Sequence, residues 1–116
     1  MRPTTVTIYN NVGDPVDIQA FTTATPGIVV HASNGDPGWS VTHERSGMSL
    51  MMVDDPEWAQ AAAAELAPIT DWTLSGNAIA ADDVTMSNYR AIRSKWSGKY
   101  WSADNDPDAY ADRRSA

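Results

Sequence analysis

The sequence predicts an α+β fold, a small antiparallel sheet of about four strands packed against two helices. Three observations carry that expectation. Short apolar runs alternate with polar residues through the first half of the chain, as half-buried strands require. Clusters of Gly, Pro, Asn and Asp separate those runs, and these residues supply the backbone conformations of turns. Past residue 54, apolar side chains recur every three to four positions, the spacing of one helix face.

The first strand is expected over Thr4 to Tyr9, where Val6 and Ile8 alternate with Thr5, Thr7 and Tyr9. Asn10 to Pro15 is a turn, and a second strand covers Val16 to Phe21. After the loop ending at Pro26-Gly27, Ile28 to Ala32 reads as a more apolar and more central strand. Ser33 to Gly38 is the strongest turn of the chain. Trp39 to Arg45 and Met48 to Val53 then form a hairpin about a tight Ser46-Gly47 loop. That loop would place Arg45 opposite Met48, His43 opposite Leu50 and Val41 opposite Met52, with Trp39, Val41, His43, Leu50 and Met52 on one face.

Asp55 can cap a first helix, Pro56 suits its first position, and Pro68 ends it. Trp58, Ala62 and Leu66 make its apolar face. Ile69 to Leu74 fits either a short strand or a packed loop, and Ser75-Gly76-Asn77 interrupts it. A second helix starts at Asp82 or Asp83 and runs to about Ser97, with Thr85, Tyr89, Ile92 and Trp96 on one face. Residues 1–101 are expected to form a single domain. Residues 102–116, rich in Asp, Ala and Ser, read as a mobile acidic tail.

Charge is unevenly distributed along the chain. Residues 1–83 hold two basic and eleven acidic side chains, whereas Tyr89 to Trp101 holds four basic residues, four aromatics and no acid. The segment therefore suggests a partner-binding edge made of Arg90, Arg93, Lys95, Trp96, Lys99, Tyr100 and Trp101. On a helical projection Arg93 borders the apolar face, Arg90 lies further along the same flank and Lys95 lies on the other. Cations near a helix C-terminus also match its dipole, which accounts for part of their placement without any partner. The net charge of −7 weighs against direct binding to nucleic acid.

Chemical motifs are weak. With no cysteine, disulfides, thiol nucleophiles and thiolate-ligated zinc are excluded. His31 and His43, with Asp36 or Glu44, lack a recognisable metal-ligand spacing. Ser33, Ser40, Ser46 and Ser49 offer hydroxyls that His43 could serve, without a nucleophile elbow. Asp104 to Ser115 fails as a calcium loop, having Ala109 and Ser115 where glycine and glutamate are needed. Asp54-Asp55-Pro56-Glu57 is explained by helix capping. No phosphate-binding glycine loop occurs, and no cofactor is expected.

The hairpin Trp39-Ser40-Val41-Thr42-His43-Glu44-Arg45-Ser46-Gly47-Met48-Ser49-Leu50, followed by an alanine-rich helix, resembles small accessory proteins of actinobacterial phages. The resemblance spans residues 28–67 and implies a phage or prophage setting without assigning chemistry. The expectation is a non-enzymatic accessory protein that binds, and modulates, a host protein. An acidic nucleic-acid mimic, a structural homodimer built on Trp39, Met48, Leu50 or the helical aromatics, and a small hydrolase are the alternatives. The chain shows neither a signal-peptide pattern nor a membrane-spanning apolar run, so a cytoplasmic location is expected.

Overall fold

The computed structural model describes residues 1–10, 12–33 and 37–97. Five strands, β1 (Pro3–Tyr9), β2 (Pro15–Thr22), β3 (Ile28–Ala32), β4 (Trp39–His43) and β5 (Met48–Val53), form one antiparallel sheet in the order β1-β2-β3-β4-β5. Sheet order follows chain order because each connection is short enough for a strand to pair with its predecessor. The helices α1 (Pro56–Leu66), α2 (Gly76–Ala80) and α3 (Asp83–Ser97) follow, with a 3₁₀ turn at Ala67–Ile69. The α+β class is as expected; all five segments read as strands join one sheet, in place of a sheet of about four, and α2 adds to the two expected helices.

The helix boundaries follow local chemistry. Asp55 accepts the Trp58 amide at 2.8 Å and caps α1, while Pro68 converts the end of that helix into the 3₁₀ turn. Asp82 accepts the amides of Val84 and Thr85, both at 3.1 Å, so it is the cap and Asp83 the first helical residue of α3. Ser75-Gly76-Asn77, expected only to interrupt, starts α2 because the Ser75 hydroxyl accepts the Ala78 amide at 3.2 Å.

One face of the sheet carries the helices. Val30, Val41, Met51 and Val53 meet Ala59, Ala62, Ala63 and Leu66 of α1, together with Trp72, Ile79 and Trp96. The small alanine side chains bring the backbone of α1 close to β3 and β4, and α3 lies against β5. The other face is covered by the protein's own first hairpin. β2 pairs with β1 along its length but with β3 only through Phe21 and Thr22, which frees the hairpin to bend across the sheet. Val6 and Ala20 thereby close over Val29, with Ile8 and Ile18 beside them. Consecutive Ile28, Val29 and Val30 are each at most 2% exposed, because β3 is buried from both sides.

The bend brings β1 back to the β4–β5 turn. Bonds from the Asn10 amide to the Asp14 carbonyl and from the Thr22 amide to the Arg2 carbonyl show that even-numbered residues of β1 face β2. The Thr7 carbonyl therefore points to the free edge. It meets Gly47, where an added Cβ would lie 2.2 Å from the Thr7 oxygen.

The hairpin itself departs from the expected register. Its turn spans Glu44 to Gly47, so His43 faces Met48, and Leu50 is left without a partner at a bulge between the Thr42–Ser49 and Val41–Met51 pairs. The Ser46 hydroxyl braces this wider turn by accepting the Met48 amide at 3.2 Å. The shift places Met51, not Met52, opposite Val41, and Met52 opposite Ser40 on the other face.

Gly47 (φ +74°) and Gly13 (φ +86°) share a left-handed backbone, but an added Cβ at Gly13 meets nothing within 4 Å. Gly13→Ala is therefore expected to cost about 1 kcal/mol from backbone strain alone. Gly47→Ala adds a clash with backbone and should cost about 3 kcal/mol or more. Urea unfolding of the two variants beside wild type checks the difference, and equal midpoints would contradict the close approach.

Candidate functional site

The residues expected to form a partner-binding edge have different fates on α3. Trp96 lies on the apolar face with Thr85, Tyr89 and Ile92, and is 7% exposed. Its indole Nε1 donates to Glu65 Oε2 at 2.9 Å, and Lys95 forms an ion pair with Glu65 Oε1. One carboxylate on α1 thus holds two neighbouring residues of α3. The Lys95 bond, followed by the Trp96 bond, keeps the Glu65 carboxyl below its ordinary range. Arg90 and Arg93 are exposed. Arg93 lies beside the Tyr89 phenol, whose hydroxyl donates to the Leu50 carbonyl at the bulge. Burial pushes the Tyr89 phenol up, and Arg93 partly opposes that shift. Lys99, Tyr100 and Trp101 lie outside the described residues, as do Asp36 and the acidic tail.

His43 is buried on the helix side of the sheet. Its Nε2 lies 2.9 Å from the Trp72 carbonyl and 3.0 Å from that of Leu74. Carbonyls only accept, so Nε2 carries hydrogen, and in the neutral ring Nδ1 accepts from the Ser46 hydroxyl at 2.7 Å. The structure thus joins His43 to one of the four serines considered with it. In this arrangement the imidazole ties the β4–β5 turn to the 72–74 loop, and the hydroxyl that it meets also braces the turn. An apolar cavity of about 150 Å³ adjoins the pair, walled by Leu50, Trp72, Ile79, Met86 and Tyr89.

His31 occupies the opposite face, so the two histidines cannot converge on one ion. β3 and β4 place His31 opposite Ser40 in register, beneath an open cleft of about 520 Å³. The cleft lies where the end of β1 faces β5 across the curled sheet, with Ile8, Tyr9 and Asn10 on one side and Met48, Ser49 and Met52 on the other. Behind it runs a continuous chain of short bonds. His31 Nε2 lies 2.7 Å from the Thr42 hydroxyl, which is 2.7 Å from the Ser40 hydroxyl, which is 2.8 Å from that of Ser49. His31, Thr42 and Ser40 are at most 4% exposed.

This network was only partly visible in the sequence. His31, Ser40 and Ser49 stand out as polar groups, but Thr42, the link between them, reads as an ordinary outward residue of an alternating strand. The signal lies in the alternation of Trp39 to His43, whose polar positions 40 and 42 become interior once a second layer covers that face.

The carboxylates are distributed among separate elements. Asp55 and Asp82 cap helices, and the Asp71 carboxylate takes the Thr73 hydroxyl and amide. These two bonds, the hydroxyl's first, lower the Asp71 pKa. No helix among the described residues is long and apolar enough to cross a membrane.

The Glu65 bonds make a pH-dependent prediction. A carboxyl with a folded pKa below its ordinary value of 4.5 stabilises the fold above that value. The contribution fades as pH falls through the depressed folded value. Glu65→Gln should therefore cost about 1 kcal/mol at pH 7, limited by solvent screening, and the gap from wild type should close in acid. Denaturant titrations of both proteins across that range check it, and a gap that widened in acid would contradict it. No protein-family model, curated protein or solved structure matches the chain, so its function must be read from these side chains themselves.

Proposed function

We propose that this chain is a non-enzymatic accessory protein that acts by binding another protein through the solvent-facing flank of α3. The observation that supports the reading is the pair Arg90 and Arg93. One turn apart, both are exposed, and neither forms a salt bridge with a carboxylate among the described residues. In a chain of net charge −7, cations without a carboxylate partner among the described residues are available to an external one. A guanidinium donates in a planar fork that fits a carboxylate with two parallel bonds, so the partner is an acidic protein surface.

Lys95 and Trp96 serve this edge indirectly. Their shared bonds to Glu65 hold the last turns of α3 against α1, giving the arginines a rigid base. Lys99, Tyr100 and Trp101 follow directly in the sequence and extend the same composition. The resemblance to phage accessory proteins makes a host protein the partner to seek.

The double variant Arg90→Glu/Arg93→Glu tests the reading without disturbing Glu65. Wild type used as bait in host extract should retain a partner in stoichiometric amount. The variant should retain it at least about tenfold less well, the scale of losing close charge pairs at an interface. Circular dichroism melting should remain unchanged. Equal capture by both proteins would remove α3 as the contact.

A further inference from the structure

The floor of the cleft on β3 and β4 is polar, made by His31, Ser40 and Thr42, where the neighbouring Val6, Ala20 and Val29 are apolar. A buried network of hydroxyls is costly unless every member is bonded, and here the bonding has a direction. The Ala32 carbonyl lies 2.9 Å from His31 Nδ1 and can only accept, so Nδ1 carries hydrogen. In the neutral ring Nε2 then accepts from Thr42, Thr42 from Ser40, and Ser40 from Ser49. The Thr42 and Ser40 hydrogens point inward, and the single Ser49 hydrogen is taken within the protein by Ser40 at 2.8 Å or by the Met51 carbonyl at 3.4 Å. Ser49, the exposed end of the chain, presents oxygen lone pairs to the cleft.

The opposite wall supplies a donor. Asn10 Oδ1 accepts the amides of Val12 at 3.1 Å and Asp14 at 2.9 Å. Two amide donors require an oxygen at that position, which identifies the other terminal atom as Nδ2 with its hydrogens available. Asn10 lines the cleft beside Tyr9, which is 61% exposed at the rim. None of the described residues that line the cleft is Asp, Glu, Lys or Arg, although 20% of the chain is charged. An acceptor facing a donor, with no formal charge among those described residues, fits a group that both donates and accepts.

We propose that this cleft binds a small neutral ligand rich in hydroxyl groups, of monosaccharide size. Ser49 Oγ accepts from one ligand hydroxyl, Asn10 Nδ2 donates to another, and the Tyr9 ring covers a C–H face of the ligand. The volume of about 520 Å³ lies within the range of small-molecule sites. The proposal does not depend on protein binding at α3, which is formed by other residues.

The test is a titration of the full chain, labelled with nitrogen-15, with methyl β-D-glucopyranoside, and in parallel with N-methylacetamide as a neutral amide. The glycoside should shift the amides of Asn10, Ser40 and Ser49 saturably, with a Kd on the order of 1–10 mM for a small ligand at an open site. Ser49→Ala and Tyr9→Ala alter exposed positions, and each should weaken binding about fivefold or more. Arg90→Glu/Arg93→Glu should bind the glycoside as wild type does. Absence of saturable shifts up to about 100 mM glycoside, binding unaffected by both cleft variants, or saturation by the amide and not the glycoside would each overturn the proposal.

Discussion

The burial of β3 from both sides is the constraint on which the rest of the structure depends. Ile28 and Val30 face the helices and Val29 faces the folded-over β1–β2 hairpin, so a single five-residue strand belongs to two cores. Each such side chain contributes about 1.5–3 kcal/mol when removed from water, and both layers must be present for that gain. The second layer requires β2 to release β3 after two residue pairs, bend, and carry β1 to the β4–β5 turn. Gly47 permits the final approach because it has no side chain to meet the Thr7 carbonyl.

Both polar sites are consequences of that layering. On the helix side, His43 is enclosed when the 72–74 loop closes over the hairpin turn, and its three bonds hold these segments together. On the other side, the hairpin covers His31, Thr42 and Ser40 without filling the space toward β5, leaving a cleft with a bonded floor. Two histidines twelve positions apart in the chain thus enter separate environments because they alternate between faces of adjacent strands. α3 completes the helical layer through one acidic residue. Glu65 accepts from both Lys95 and Trp96, while Tyr89 reaches the carbonyl exposed by the bulge at Leu50. Arg90 and Arg93 remain exposed, with Arg93 beside the Tyr89 phenol.

Much of the local structure was legible in the residues. The caps at Asp55 and Asp82, the stop at Pro68, and the face made by Thr85, Tyr89, Ile92 and Trp96 each depend on interactions within a few positions. The apolar character of Ile28 to Val30 pointed to a central strand. The hairpin register was not legible, because Ser46-Gly47 suits a two-residue loop as well as the end of a four-residue turn. The wider turn occurs together with the bond between the buried His43 and Ser46 and with a bulge that has no local signature. The helix α2 was missed because Gly76 and Asn77 are poor helix formers, and only the Ser75 cap favours it.

The candidate sites divide in the same way. Concentration of cations between Arg90 and Lys99 is a property of the sequence, and helical periodicity already placed Trp96 on the apolar face. That Lys95 and Trp96 share Glu65, thirty or so positions away, was decided by the packing of α3 on α1. The Ser49–Ser40–Thr42–His31 chain likewise exists only because three strands set these side chains in register and a fourth and fifth shelter them. The sequence by itself determined the five strand segments and the helices α1 and α3, though not α2, since spacing, caps and turn residues act locally. The tertiary structure decided which polar side chains meet and which remain in water, because that depends on burial shared among elements distant in the chain.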